Sequence, residues 1–570
     1  MISSLRSLAA RSAVLAAALA ALAGCGGAEA DGDDFLLVGG TFVTQSQAMT
    51  DVQPGFAPVE ALVVRDGKIV FSGSLSDARA QAAGLPEIDM KGGTALPGLV
   101  DSHTHLTGVG LREMTLNLDQ AASLSDLTTA LKAHAEANPG AGPIVGRGWI
   151  ETHWPEMRFP TRADLDAVVA DRPVALERAD GHATVVNSAA LKLAGITRDT
   201  PDPAGGRIER GADGEPTGML IDTAAGLIDA RLPPLDQGRR REALERAVKR
   251  YASLGWTGAV NMSTSAEDVT ILFALAAEGK LPIFVDVFMT PEDSAEVLRR
   301  GPYSDPSGLV RVRGVKLYMD GALGSRGALL LKPYSDLPAS SGLQIAEEEA
   351  TLKLLRQALK VRADIALHAI GDAGNRKALD WFETVLAEDP EGAKAVRWRI
   401  EHAQILDPAD IPRFSRLGVV ASMQPSHAIG DLYFAPARLG PDRLVGAYAW
   451  RSLLDSGALV VGGSDAPVEV GDPRIEFYAA AVRKDLKGVS GPEWRPSEAL
   501  DRPRALGLFT SGPARADQRP TGWGTLHVGA PANISVYAVD LTKAPETQIA
   551  TARPLLTIVR GRVVFDGRAG

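Results

Sequence analysis

The sequence predicts an α/β protein. It reads as a (β/α)8, TIM-like barrel with a long insertion after its first strand, plus a small β-sandwich-like domain drawn from both chain ends. Two observations predict this. Eight short apolar runs, mostly with helical stretches between them, lie between Ala95 and Gly463, and eight βα units close on themselves as a barrel. Histidines, a lysine and an aspartate stand at the C-terminal ends of several of these runs, where active sites of this fold sit.

The first residues read as an address. Arg6 and Arg11 give a positive start, Ala13 to Ala23 an apolar stretch too short for a permanent bilayer span, and Leu22-Ala23-Gly24-Cys25 follows. The segment (1–25) resembles a bacterial lipoprotein signal, which implies cleavage before Cys25 and lipidation of that residue. Gly26, rather than Asp, after the cysteine then implies outer-membrane retention, with the catalytic body facing the periplasm. The lipid would be the sole membrane attachment, and Cys25, the only cysteine, has no partner for an internal disulfide. Residues 26–34 form a polar tether. The tether leads into Phe35 to Val43, Ala61 to Val64 and Lys68 to Ser72, strands with an Asp66-Gly67 hairpin signal. Ala532 to Tyr537, Leu556 to Val559 and Arg562 to Phe565 are strands of the same kind, so 35–94 and 525–570 are expected to build one small β-domain.

The barrel, 95–524, takes its strands from Ala95 to Asp101, Thr257 to Met262, Pro282 to Met289, Val312 to Met319, Asp364 to Ala369, Arg397 to His402, Val419 to Gln424 and Ala458 to Gly463. The gap after the first run exceeds any ordinary crossover, so about 107–240 is an inserted subdomain. A hydrophobic content of 45% and a charged content of 23% fit a soluble body with a large core. A formal charge of −10 with no basic run excludes a phosphate-backbone binder, so no nucleic-acid partner is expected.

In Asp101-Ser102-His103-Thr104-His105, His103 and His105 face one side of a strand, and two neutral imidazoles so aligned can hold a divalent metal. Lys316, His368, His402 and Asp465 close later runs at the same barrel end. Singly, each has a plain alternative: a rim lysine for Lys316, core histidines for His368 and His402, a helix cap for Asp465. A buried lysine is driven toward the neutral amine, which takes up carbon dioxide to give a carbamate able to bridge two metals. His182 and His427 are second-tier candidates for contact with substrate or a developing oxyanion. Asp320 either orders the site or begins a turn. Trp149, Trp154, Tyr318 and Tyr433 either line an apolar pocket or simply pack.

Five stretches extend the pattern: Gly146-Arg147-Gly148-Trp149, Asp180-Gly181-His182 to Asn187-Ser188, Gly214-Glu215-Pro216-Thr217-Gly218, Asp320 to Arg326, and Ile400-Glu401-His402-Ala403-Gln404. With the ligand pattern they make the chain resemble the amidohydrolase superfamily, and within it the branch of N-substituted formamide deformylases and their YtcJ-like relatives. The resemblance covers residues 35 to 567. It implies His103, His105 and Asp465 on one metal, His368 and His402 on another, and carboxylated Lys316 between them; whether one ion or two is bound stays open. Zinc suits imidazole and carboxylate first, with iron and manganese as alternatives. A metal lowers the pKa of bound water from about 16 to roughly 7. Hydroxide is then expected to attack a carbonyl carbon, with Asp465 shuttling its proton to the departing amine. The expected substrate is a small amide, N-formyl or related non-peptide compound. An ester, lactone or phosphotriester hydrolase on the same site, or a non-catalytic envelope binding protein, are the alternatives.

Overall fold

The computed structural model describes residues 33–44, 59–140, 142–151, 154–179, 181, 183–203, 206–232, 235–491 and 494–569. The leader, Cys25, most of the tether and His182 lie outside the described residues. No helix among those described is long and apolar enough to cross a membrane.

The barrel strands are β1 (Leu99–Thr104), β2 (Trp256–Thr264), β3 (Phe284–Met289), β4 (Val310–Tyr318), β5 (Asp364–Ala369), β6 (Arg399–His402), β7 (Val420–Met423) and β8 (Val460–Gly462). They lie side by side in chain order, all parallel. Beyond β8 the seam to β1 is closed by short bonds: the Asp465 N–H donates to the His103 carbonyl at 2.7 Å and the His105 N–H to that of Ala466 at 2.8 Å. The expected (β/α)8 architecture is thus the observed one. The strands are buried on both faces, as a parallel sheet covered by helices must be.

The first apolar run divides differently from its pattern. Thr94–Pro97 pairs antiparallel with Ile534–Tyr537 in the terminal domain, and only from Leu99 does the chain enter the barrel. Gly98 makes the transfer, because a Cβ there would lie 2.4 Å from Thr257 Oγ1. The terminal domain is two sheets, one of 35–38, 61–65, 68–73 and 87–89, the other of 41–42, 94–97, 534–537, 554–559 and 562–566. Leu37, Leu62 and Ile69 of the first share one core with Ile534, Val536 and Leu556 of the second.

After β1, helix Leu106–Met114 leads into a mixed sheet built from strands between Leu116 and Asp222, with its own core around Leu127, Leu131, Trp149 and Leu176. The chain returns through helix Gln237–Leu254. That helix lies so close to Leu106–Met114 that a Cβ on Gly110 would overlap the Ala243 carbonyl.

One carboxylate fastens the seam. Asp101, fully buried on β1, accepts the N–H groups of His103 (3.1 Å) and Ser464 (2.9 Å), the Ser464 hydroxyl (2.6 Å) and the Tyr251 hydroxyl (3.0 Å). Asp101→Ala orphans these buried donors and is expected to cost about 3–5 kcal/mol. A depressed midpoint in thermal unfolding, with Asp101→Asn intermediate, is the expected measurement.

Candidate metal centre

Period-two alternation on β1 turns His103 and His105 toward the axis and Thr104 away, where its hydroxyl meets Tyr251. The His103 Nδ1–H donates to Glu401 at 2.6 Å; a carboxylate can only accept, so Nε2 carries the free lone pair. Glu401 is held by Arg399, whose guanidinium also donates to the Ser102 carbonyl at 2.7 Å and to Ser422 Oγ. His402 is fixed in the same way: its Nδ1 lies 2.7 Å from Gln424 Oε1, which leaves Nε2 free.

These lone pairs converge on Asp465. His103 Nε2 lies 3.4 Å and His105 Nε2 3.2 Å from Asp465 Oδ1. Donor atoms of His103, His402 and Asp465 all fall within 4.8 Å of one another. The His368 ring stands edge-on to His402 with centroids 4.5 Å apart, and the His427 ring stacks on His402 from another side at 5.8 Å. His427 Nε2 lies 3.8 Å from Asp465 Oδ2 and 3.9 Å from Glu469 Oε1. Lys316 is 1% exposed, with Nζ 3.3 Å from His103 Nε2 and no carboxylate within 4.0 Å among the described residues.

Two backbone departures assemble the cluster. Strict alternation on β6 would place His402 opposite Glu401. A left-handed φ of +72° at His402, followed by +40° at Ala403, lets both side chains reach the neighbourhood of His103. Asp465 has φ +58° just past β8. Such conformations cost about 1–3 kcal/mol each for residues with a Cβ and gather at functional sites.

The electrostatics suit a cation. Burial, reinforced by Lys316, holds the His103 imidazole down to about 4 and that of His368 to about 3, and burial with His368 keeps His402 well below its ordinary range. All three are neutral at pH 7, as ligation requires. Burial pushes the Asp465 carboxyl up, but His103, His105 and His402 outweigh it and keep the group ionised. His368 Nε2 and His427 Nε2 are buried without a hydrogen-bond partner among the described residues, which metal ligation or a bound substrate would satisfy. Neutral imidazoles around one carboxylate, with orphaned nitrogens beside them, fit a divalent ion.

A stability consequence follows for the metal-free protein. Between about 3 or 4 and the ordinary imidazole value of 6.5, the unfolded chain binds protons that folded His103 and His368 do not. The contribution of these two imidazoles to stability therefore rises with pH across that window and is lost as pH drops through it. It is opposed by the buried carboxyls of Asp101, Asp320 and Glu469, which burial raises to about 6, 7 and 7. Chelator-treated wild type is expected to lose Tm relative to chelator-treated His103→Gln/His368→Gln from pH 7 to pH 4; a constant difference would overturn this reading.

Most of the sequence candidates meet here: His103, His105, Lys316, His402, Asp465 and His427 at the centre, His368 beside His402. Asp320 orders its surroundings, accepting the N–H groups of Leu329, Ile370 and Gly371 at 2.8, 3.0 and 2.9 Å and so tying the β4 loop to the β5 loop. Trp149 and Trp154 are packing residues, buried in the insertion core with indole N–H groups on the Leu176 and Ala121 carbonyls. Tyr318 and Tyr433 are exposed, and the Tyr318 hydroxyl lies 2.6 Å from Ser263. Sequence reasoning passed over Glu401, Gln424, Arg399, Asp101 and Glu469. Glu401 stood next to His402 and Gln424 closed the run Val419 to Gln424, and these positions were the available signal.

Residues 86–565 match the model of the amidohydrolase family (Amidohydro_3). The chain is 36% identical over 519 residues to the putative amidohydrolase YtcJ of Bacillus subtilis, covering 89% of this chain and 96% of that protein. It is 28% identical over 522 residues to the N-substituted formamide deformylase of Arthrobacter pascens, covering 89% and 95%. Among solved structures, an uncharacterized metal-dependent hydrolase from Pyrococcus horikoshii superposes with a TM-score of 0.73 at 29% identity, over 90% of this chain and 99% of that one.

Proposed function

The chain belongs to the amidohydrolase family, and on that premise we propose that it is a metal-dependent hydrolase of small, non-peptide amides, N-formyl amines or related compounds. The observation that carries the proposal is the Asp465 carboxylate, placed between His103, His105 and His427 at 3.2–3.8 Å. The relative named for formamide deformylation favours a carbon–nitrogen bond over an ester.

His103, His105, His368, His402 and Asp465 would hold the metal, zinc first by donor chemistry, with iron or manganese as alternatives. When bound, the ion supplies Lewis acidity and a water of lowered pKa. Asp465 accepts the proton of the attacking water at a carboxylate oxygen and returns it to the leaving nitrogen, which must be protonated for a resonance-stabilised amide to break. His427, with its unpaired Nε2 beside Asp465, orients the substrate or the developing oxyanion. His182 is kept in the second rank for the same task. Lys316, buried without a carboxylate partner among the described residues, would take up carbon dioxide at Nζ with loss of its protons, giving a carbamate that would join the ligand set. The lipobox pattern at Cys25 supports an enzyme tethered in the cell envelope by a lipid.

The test is a release assay on the purified, zinc-reconstituted chain with paired N-acyl amines, N-formyl amines and the matching esters. Amine release at least tenfold faster than alcohol release is expected. Faster alcohol release would favour an esterase or lactonase on the same centre, and no turnover of either would overturn the hydrolase assignment.

A further inference from the structure

We propose that the opposite, N-terminal face of the barrel carries a second binding site, for a phosphate group. A cleft of about 730 Å3 opens there, lined by Arg397, Leu459, Arg515, Arg519, Thr521 and Trp523 among others. Arg397 lies two residues before β6 and Leu459 one before β8, whereas the metal-centre residues follow the far ends of those strands. The cleft is therefore separate from the catalytic centre.

Its charge is the informative feature. Beneath it, Arg311, Arg313 and Arg519 are matched by Asp286, Asp364 and Asp517 in a buried ion network. That layer is neutral by itself. The Arg397 guanidinium donates to the carbonyls of Lys394 and Val396, while its backbone N–H donates to Asp364 at 2.6 Å, and the Arg515 side chain has no hydrogen bond or ion pair among the described residues. None of the cleft-lining residues is acidic, in a chain whose formal charge is −10. Two uncompensated guanidinium groups thus face one cavity of an acidic protein.

Arg519 adds an independent sign. Its guanidinium sits over the rings of Phe284 and Trp523 at 4.7 and 4.6 Å, and one terminal nitrogen donates to Asp286 at 2.7 Å. The side chain is 8% exposed, yet Nε has no partner. A buried N–H without a partner among the described residues, on a side chain that lines the cleft, is a costly arrangement that an acceptor oxygen relieves. Three guanidinium-bearing residues, with Ser511 and Thr521 also lining the cleft, supply donors that match a tetrahedral dianion better than a single carboxylate. The phosphate can be free or the headgroup of a phospholipid.

Calorimetric titration of inorganic phosphate into the Cys25→Ser chain, against chloride at equal ionic strength, is the test. Saturable binding is expected, weakened at least tenfold in Arg397→Gln/Arg515→Gln while thermal unfolding stays unchanged. Sedimentation with phosphatidylglycerol vesicles, competed by inorganic phosphate and reduced in the same variant, would assign the headgroup as ligand; phosphate binding without vesicle binding would assign the free anion. Absence of saturable phosphate binding, or binding unaffected by the double substitution, overturns the proposal. None of these readouts depends on the hydrolase assignment.

Discussion

Asp465→Asn is expected to lower kcat by on the order of 10³-fold or more, the size of effect expected when a proton shuttle and a site charge are removed together. The substitution is chosen for its backbone. Asp465 sits at φ +58°, a left-handed conformation that asparagine tolerates nearly as well as aspartate, whereas alanine would confound chemistry with strain. Asparagine keeps the shape but cannot take the proton, and it removes the negative charge that three imidazoles surround. Metal content should fall as well, since the carboxylate is the anionic member of the His103–His402–Asp465 cluster. Amine release, metal analysis and circular dichroism on the same sample separate the outcomes. A variant with native spectrum and activity within tenfold of wild type would remove Asp465 from the chemistry.

Lys316→Ala is expected to lower metal affinity by about 100-fold, the upper end for a residue that supports a metal site, and activity with it. Nζ lies in the barrel interior, 3.3 Å from an imidazole nitrogen and without a carboxylate partner among the described residues. An ammonium there would be an uncompensated buried charge. Conversion to a carbamate inverts that charge, because the ammonium loses two protons as its nitrogen gains carbon dioxide. Mass spectrometry of the intact chain would see the added carboxyl group, and metal analysis after loading with zinc and bicarbonate would count the ions. About two ions per chain, falling sharply in the variant, supports the bridged centre. One ion that survives the substitution would make Lys316 a structural residue of a mononuclear site.

The route from sequence to these experiments was direct for some residues and closed for others. His103 and His105 were legible because two residues on one strand share a face by geometry alone. The eight apolar runs were legible because a parallel sheet covered on both sides needs near-continuous hydrophobic strands. Lys316, His368 and Asp465 were legible as polar ends of such runs. Glu401 was passed over even though it precedes His402. Alternation lets only one of two neighbours face the axis, and it cannot foresee the φ of +72° that lets both approach His103. The split of the first run at Gly98 was hidden too, since Thr94–Pro97 and Leu99–Thr104 are equally apolar and differ only in which strand each pairs with.

The sequence by itself therefore determined the barrel and pointed to the insertion and the candidate donors, since these rest on periodicity and residue chemistry, which are local. Tertiary structure alone decided which nitrogen of His103 is free, because its Nδ1 bonds a carboxylate 298 residues away. It alone decided that Asp101 closes the seam and that Arg519 is buried with an unpaired Nε. Such properties belong to contacts between distant segments, and only the folded chain brings those segments together.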